Sequence, residues 1–200
     1  MGTVNVASKK AALISLDEDV KEVEELARTA GYDIIYEVVQ RRARPEPALY
    51  VGRGKVKEIK ELLEESPVES VILNGEAKPS HHYNLESELG VECVDRVRLI
   101  LDIFKTRANN KESRLQVEKA RLRYETPLLK EWIHSAKTGE HPGFMGGGEY
   151  AIDIYYDLIK KRIRNIDKEL AELRTASDQK RARRERNELF TVTLAGYTNA

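Results

Sequence analysis

Short apolar runs alternate with helical patterns over about the first hundred residues, and this alternation constrains the fold more than any other feature. The predicted strands are residues 11–16, 33–39, 70–73 and 91–94. The predicted helices are residues 17–30, 55–65, 80–89 and 96–106. Strand–helix–strand units pair in parallel through right-handed crossovers. Residues 1–106 are therefore predicted to form an α/β subdomain, a small, open, mostly parallel four-stranded sheet with flanking helices.

Residues 107–188 carry a heptad pattern. Leu115, Leu122, Leu129 and Ala136 recur every seven residues, joined by Trp132 and Ile133. A second stripe steps by four and three through Ile159, Ile163, Ile166, Leu170 and Leu173. Such seams bury against each other in coiled coils, so the pattern predicts a long antiparallel α-helical hairpin. We interpret Trp132, Tyr155 and Tyr156 as packing residues of this hairpin.

Composition narrows the class of protein and its compartment. Apolar residues make up 40% of the chain, and no apolar run reaches the roughly 18 residues that a membrane span needs. The start lacks the long apolar core of a signal peptide. A single cysteine, Cys93, excludes an internal disulfide and a multi-cysteine zinc site. The expected compartment is the cytoplasm, with no membrane span.

The net charge is zero, but the two halves differ in sign. Residues 1–100 hold 14 Lys and Arg against 19 Asp and Glu, whereas residues 101–200 hold 20 against 15. A basic half can dock on a phosphate-rich surface even when the whole chain is neutral, because the local field matters more than the total charge.

The last residues, 189–200, combine a strand pattern with the start of a phosphate-binding loop. Residues 190–195 alternate as a strand does, and Gly196, Tyr197, Thr198, Asn199 and Ala200 follow directly. A P-loop reads G-x-x-x-x-G-K-[ST] after a strand. These residues match its first five positions. Taken alone, a frayed carboxy-terminal strand explains the same residues.

Five sequence blocks, taken in order, resemble the HflX family of translational GTPases over nearly the whole chain. They are residues 25–42, the Y-[IV]-G-x-G-K block at 50–55, residues 95–108, residues 115–118, and Gly196 to Ala200, which is similar to the start of the family's G-Y-T-N-A-G-K-S P-loop. The chain departs from the family in its glycine-rich segment, where Gly147 stands in place of the usual proline.

The resemblance implies a function for the whole protein. It implies GTP and Mg²⁺ binding, GTP hydrolysis and association with the large ribosomal subunit, with residues 189–200 as the first strand and partial P-loop of a GTPase domain. The fragment itself is then expected to hold neither cofactor and no catalytic residue or metal site. The implied partners are rRNA of the large subunit and the protein's own GTPase domain.

Two regions are candidate RNA or ribosome contacts. Residues 139–149 form a glycine-rich loop between the predicted hairpin helices, with Gly143, Gly146, Gly147 and Gly148 as candidate contacts. Residues 158–187 hold 11 Lys and Arg against 5 Asp and Glu. The candidate phosphate ligands there are Lys160, Lys161, Arg162, Lys180, Arg181, Arg183, Arg184 and Arg186. A solvated coiled-coil face remains the alternative for this basic stretch.

A third candidate lies in the α/β subdomain. Gly52, Arg53, Gly54 and Lys55 precede a predicted helix, where backbone N–H groups and two cations could hold a phosphate. A simple turn is the alternative. Two other functions stay open: a nucleotide-dependent RNA-remodelling domain that uses this turn, and a coiled-coil protein–protein adaptor.

Overall fold

The computed structural model describes residues 8–137 and 148–187, together with Val192. Most of the glycine-rich segment, including Gly143, Gly146 and Gly147, lies outside the described residues. The partial P-loop, Gly196 to Ala200, lies outside them as well. Gly148 is the first residue of a helix.

Four parallel strands form the sheet. They are β1 (Lys9–Ser15), β2 (Tyr32–Val39), β3 (Ser70–Leu73) and β4 (Glu92–Asp95). The order across the sheet is β2-β1-β3-β4. Each neighbouring pair runs parallel. The predicted four-stranded sheet is confirmed, and it is parallel throughout.

Four helices cover the two faces of this sheet. They are α1 (Lys21–Thr29), α2 (Arg53–Glu65), α3 (Pro79–Leu89) and α4 (Arg96–Arg107). One apolar cluster joins the sheet to α2 and α3, and a second joins it to α1 and α4. Helix α1 begins four residues later than predicted, because the Ser15 hydroxyl closes a turn with the backbone of Asp17. Gly90 ends α3 at φ +71°, a left-handed conformation that favours glycine.

Two long helices follow, α5 (Lys111–Lys137) and α6 (Gly148–Arg186). Their ion pairs fix an antiparallel register, because Lys111 pairs with Glu169 at 3.1 Å while Glu118 pairs with Arg162 at 2.6 Å. Ile159 and Ile166 of the predicted stripe are buried in the described structure, as is Leu115. The predicted helical hairpin is confirmed, and α5 continues as one helix through Pro127.

The seam between α5 and α6 can be tested at Ile166, whose side chain has no exposed surface. We expect Ile166→Ala to lower the free energy of unfolding by about 2–5 kcal/mol, because it leaves a cavity in the seam. Ile154→Ala, on the same helix with 55% of the side chain exposed, is the matched control and should change stability by less than about 0.5 kcal/mol. Urea unfolding followed by circular dichroism measures both, and equal losses would contradict the seam.

Candidate nucleic-acid interface

A buried carboxylate joins the hairpin to the sheet. Asp95, the last residue of β4, has no exposed surface. Its Oδ1 accepts hydrogen bonds from the Tyr124 hydroxyl at 2.9 Å and from the Arg98 amide at 2.9 Å. Its Oδ2 accepts from the Ala77 amide at 3.2 Å and lies 3.5 Å from Nε2 of His82. We call Asp95, His82 and Tyr124 the Asp95 cluster. It connects β4, α3 and α5.

The ionisation of this cluster follows from its contacts. Burial raises the pKa of Asp95, but hydrogen bonds from His82, the Arg98 and Ala77 amides and Tyr124 outweigh it and hold the pKa below its ordinary value. Burial, with the negative charge of Asp95 beside it, raises the pKa of the Tyr124 hydroxyl. Asp95 therefore stays charged and Tyr124 stays a donor near neutral pH.

Further contacts fasten α5 along its length. On the α4 side, Arg121 lies 2.7 Å from Glu125 and 3.6 Å from Asp102. Arg98 of α4 lies 4.0 Å from Glu125 of α5. On the α3 side, Trp132 meets Tyr83 edge-on, with ring centroids 5.0 Å apart. Helix α5 is thus packed against the α/β subdomain on one side and against α6 on the other.

The structure gives the three aromatic residues different environments. Trp132 packs on Tyr83 of α3 and is 39% exposed. Tyr155 is 53% exposed and is not a packing residue. Tyr156 does lie at the hairpin interface, where its ring is covered by the ammonium groups of Lys160 at 4.2 Å and Lys130 at 5.4 Å.

The turn before α2 is held from within the α/β subdomain. Tyr50 adopts φ +64°, a strained conformation for a bulky residue. Its buried hydroxyl donates to the carbonyl oxygen of Asn74 at 2.9 Å, and burial raises its pKa to about 12. His81 accepts from the Lys78 amide at Nδ1 and contacts the Pro47 carbonyl through Nε2 at 3.1 Å. Helix α3 therefore positions this turn as well as α5.

The candidate phosphate ligands of this turn have protein partners. The Gly52 amide donates to Oε1 of Gln40 at 2.8 Å, and the Lys55 ammonium pairs with Glu58 at 2.7 Å. Gly54 has open space around its Cα. Arg53 lines a cleft of about 520 Å³ between α2 and α3. Two of the four predicted residues are therefore already engaged inside the chain.

The basic residues of α6 fall into two groups. In the first, Arg162 makes a bidentate pair with Glu118 at 2.6 and 2.8 Å, and Lys160 lies over Tyr156. Lys161 is exposed. In the second, every residue from Arg174 to Asn187 is exposed. The predicted contacts Lys180, Arg181, Arg183, Arg184 and Arg186 all belong to this second group.

Two kinds of site are missing from the described part of the chain. In residues 8–137 and 148–187, no three His, Cys, Asp or Glu side chains come together as a metal site would require. No helix in the same ranges has the length and apolar character needed to cross a membrane.

Comparison with known proteins identifies the family. A family model described as GTP-binding GTPase N-terminal matches residues 17–105, and one described as GTP-binding GTPase Middle Region matches residues 107–184. The GTPase HflX of Thermofilum pendens is 44% identical over 193 residues, covering 96% of this chain and 45% of that protein. The chain belongs to the HflX GTPase family.

A second HflX relative and a solved structure match a similar extent of the chain. The GTPase HflX of Thermococcus kodakarensis is 42% identical over 179 residues, which is 90% of this chain and 40% of that protein. A GTP-binding protein from Sulfolobus solfataricus, solved in complex with GDP, matches with a TM-score of 0.62 at 28% identity, over 84% of this chain and 46% of that one. The chain spans less than half the length of these relatives.

The Asp95 cluster was missed by sequence reasoning. The sequence patterns assign no role to His82 or Tyr124. The available signal was an aspartate that ends a strand and begins a helix, because a carboxylate at that point can cap the helix and face the next element. Asp95 does cap α4 through the Arg98 amide.

The hydroxyl of Tyr124 provides a direct test of the cluster. We expect Tyr124→Phe to lower the free energy of unfolding by about 1–3 kcal/mol, because a buried carboxylate loses one of its donors. Tyr155→Phe removes an exposed hydroxyl from α6 and should leave stability within about 0.5 kcal/mol. Chemical denaturation of both variants measures this. If the two variants lose the same stability, the Tyr124 hydrogen bond does not stabilise the fold.

The lowered pKa of Asp95 predicts a pH dependence. A carboxyl whose folded pKa lies below its ordinary value of 3.8 contributes stability above that value and loses it as the pH falls through the folded pKa. We therefore expect Asp95→Asn to be less stable than the unchanged chain at pH 7, with the difference shrinking below pH 3.8.

Thermal unfolding from neutral to acid pH measures this difference. Glu88→Gln, at an exposed position of α3, is the control and should follow the unchanged chain at every pH. A difference between Asp95→Asn and the unchanged chain that stays constant through the acid range would show that the charge of Asp95 is not stabilised by its neighbours.

Proposed function

We propose that this chain is the ribosome-docking region of a GTP-binding, GTP-hydrolysing protein, and that its hairpin contacts rRNA of the large ribosomal subunit. Membership of the HflX family supports the GTPase part, since the relatives bear the name GTPase HflX and the Sulfolobus protein was solved with GDP. A ribosomal partner places the protein in the cytoplasm.

One observation carries the docking role. Helix α6, which carries the candidate phosphate ligands, stands on α5, and α5 is fixed to the α/β subdomain by the buried Asp95–Tyr124 hydrogen bond. A long helix fastened in this way holds its cations in fixed positions relative to the sheet. Preorganised charge of this kind binds phosphate with less loss of conformational freedom than charge on a mobile tail.

The coupling to GTP follows from chain order. In this proposal α6 leads into residues 189–200, the first strand and partial P-loop of the GTPase domain, so that ribosome contact and nucleotide state bias each other. GTP and Mg²⁺ then belong to the whole protein. The 200 residues contain no Gly-Lys-Ser or Gly-Lys-Thr sequence, and we expect no GTP binding by this chain itself.

The glycine-rich segment between α5 and α6 is assigned to the tip that meets RNA. Closing a helical hairpin needs a linker of about 2–8 residues. Such a linker does not need the backbone freedom that is provided by Gly143, Gly146, Gly147 and Gly148. Glycine in such number costs conformational entropy on ordering. In this proposal the segment contacts RNA, and that contact offsets the entropy cost.

A second candidate is a protein–protein adaptor. Ile154, Tyr155 and Leu158 expose 55%, 53% and 55% of their surface, close to the end of the hairpin where α6 begins. Neighbouring exposed apolar side chains are typical of protein–protein docking sites. Binding through such a patch would change little with salt, whereas phosphate contacts weaken steeply as salt rises.

Co-sedimentation with purified large ribosomal subunits tests the proposal. We expect the chain to pellet with large subunits at low ionic strength, to pellet less with small subunits, and to be released steeply as salt is raised. Deletion of Gly146–Gly148 should weaken pelleting. Ile154→Ser/Leu158→Ser, which removes two exposed apolar side chains, should not weaken it.

Two outcomes would count against ribosomal docking. If the chain does not pellet with large subunits at low ionic strength, the proposal is refuted. Pelleting that resists salt but is lost in Ile154→Ser/Leu158→Ser would transfer the role to the adaptor.

A further inference from the structure

Helix α6 extends beyond the helix that supports it. Lys111, the first residue of α5, pairs with Glu169 of α6. Because the two helices are antiparallel, the residues of α6 that follow Leu173 have no α5 residue opposite them. Arg174–Asn187, which we call the α6 overhang, is exposed at every position. At 1.5 Å per helical residue it projects by about 20 Å.

The composition of the α6 overhang excludes an apolar partner. Its sequence, RTASDQKRARRERN, has no side chain larger than alanine among its apolar residues. It therefore cannot pack into an apolar groove as an amphipathic helix does. It has six cations against two carboxylates. Its charge therefore favours a strongly anionic partner.

The cations are distributed around most of the helix. At 100° per residue, the six cations cover an arc of about 240°. They are Arg174, Lys180, Arg181, Arg183, Arg184 and Arg186. The two carboxylates, Asp178 and Glu185, fall together on the remaining face, within about 20° of each other. A helix with cations on both flanks and acids at its back is suited to lie between two rows of negative charge.

The charge of the α6 overhang is also less neutralised than that of the supported part of α6. Arg162 is held by Glu118 and Glu169 of the hairpin. In the overhang the described ion pair is Arg181 with Glu185 at 3.3 Å, an exposed pair one turn apart. Such a pair is weak in water and leaves Lys180, Arg183 and Arg184 available for phosphates.

The chemistry of the α6 overhang further distinguishes between kinds of nucleic acid. Proteins that bind single strands stack bases on aromatic side chains, and the overhang has no aromatic residue. Double-helical RNA presents two phosphate rows and is recognised mainly through phosphates and 2′-hydroxyls. We propose that the α6 overhang binds the two phosphate rows of double-helical RNA without reading its base sequence.

This inference rests on the proposed function only in its choice of RNA as the polyanion, and it can be tested separately. The triple variant Arg181→Gln/Arg183→Gln/Arg184→Gln removes three cations from the α6 overhang. The matched control, Arg123→Gln/Arg164→Gln/Lys168→Gln, removes three exposed cations from the part of the hairpin outside the α6 overhang. Both keep good helix-forming residues, and circular dichroism verifies that helix content is kept.

Fluorescence anisotropy with a labelled RNA duplex, over a series of salt concentrations, measures binding by the full 200-residue chain. Each lost phosphate contact lowers the slope of log K against log salt by about 0.9. We expect the overhang variant to reduce the magnitude of this slope by about 2–3 and the affinity by at least tenfold. The control should change neither slope nor affinity by more than about twofold. A single strand of equal length should bind more weakly than the duplex.

The outcomes separate this inference from the ribosomal one. Equal losses in the two triple variants, or a single strand that binds as tightly as the duplex, would overturn the inference. If the chain pellets with large subunits while the overhang variant binds duplex RNA unchanged, the inference fails and ribosomal docking stands. If duplex binding depends on the overhang but no pelleting occurs, the inference stands and ribosomal docking fails.

Discussion

The placement of the hairpin depends on one buried negative charge. Moving a carboxylate out of water is costly unless donors replace the lost hydration. Asp95 obtains those donors from the start of α4, from the loop before α3, from His82 and from Tyr124. Because these groups come from separate elements, the charge is satisfied only when α5 lies in its observed place. The hydrogen bonds to Asp95 therefore specify the position of the hairpin on the sheet. Apolar packing alone would not fix this position, because it has no preferred direction.

Helix α3 distributes this constraint to a second part of the molecule. His81 and His82 are both buried, and they face different partners. Burial lowers the pKa of His81, so its ring is uncharged at neutral pH and can accept from the Lys78 amide while it contacts Pro47. One turn further on, Asn84 donates to the carbonyl oxygen of Ala48 at 2.8 Å. The turn before α2 and the attachment of α5 thus share a single helix.

The periodic parts of the structure could be predicted from the sequence, and its tertiary contacts could not. Strand and helix periods reveal which face of an element is buried, and this sufficed for the sheet and for the seam through Ile159 and Ile166. The period of α5 was interpreted with α6 as its single partner. In the structure α5 has partners on two sides, so Trp132 packs on α3 while its neighbour in sequence, Ile133, is half-buried. The Tyr124–Asp95 bond spans 29 residues, and no local pattern encodes it. Gln40, which binds the Gly52 amide, was missed for the same reason.

Helix α5 lies between the α/β subdomain and α6, and this order affects which parts of the sequence can change. None of the described donors to Asp95 belongs to α6, so α5 is structurally an outer layer of the α/β subdomain as much as one arm of the hairpin. Changes in the length or charge of α6 therefore leave the hydrogen bonds to Asp95 in place. Selection can accordingly remodel α6 for different surfaces, while substitutions in α5 are constrained from both sides at once.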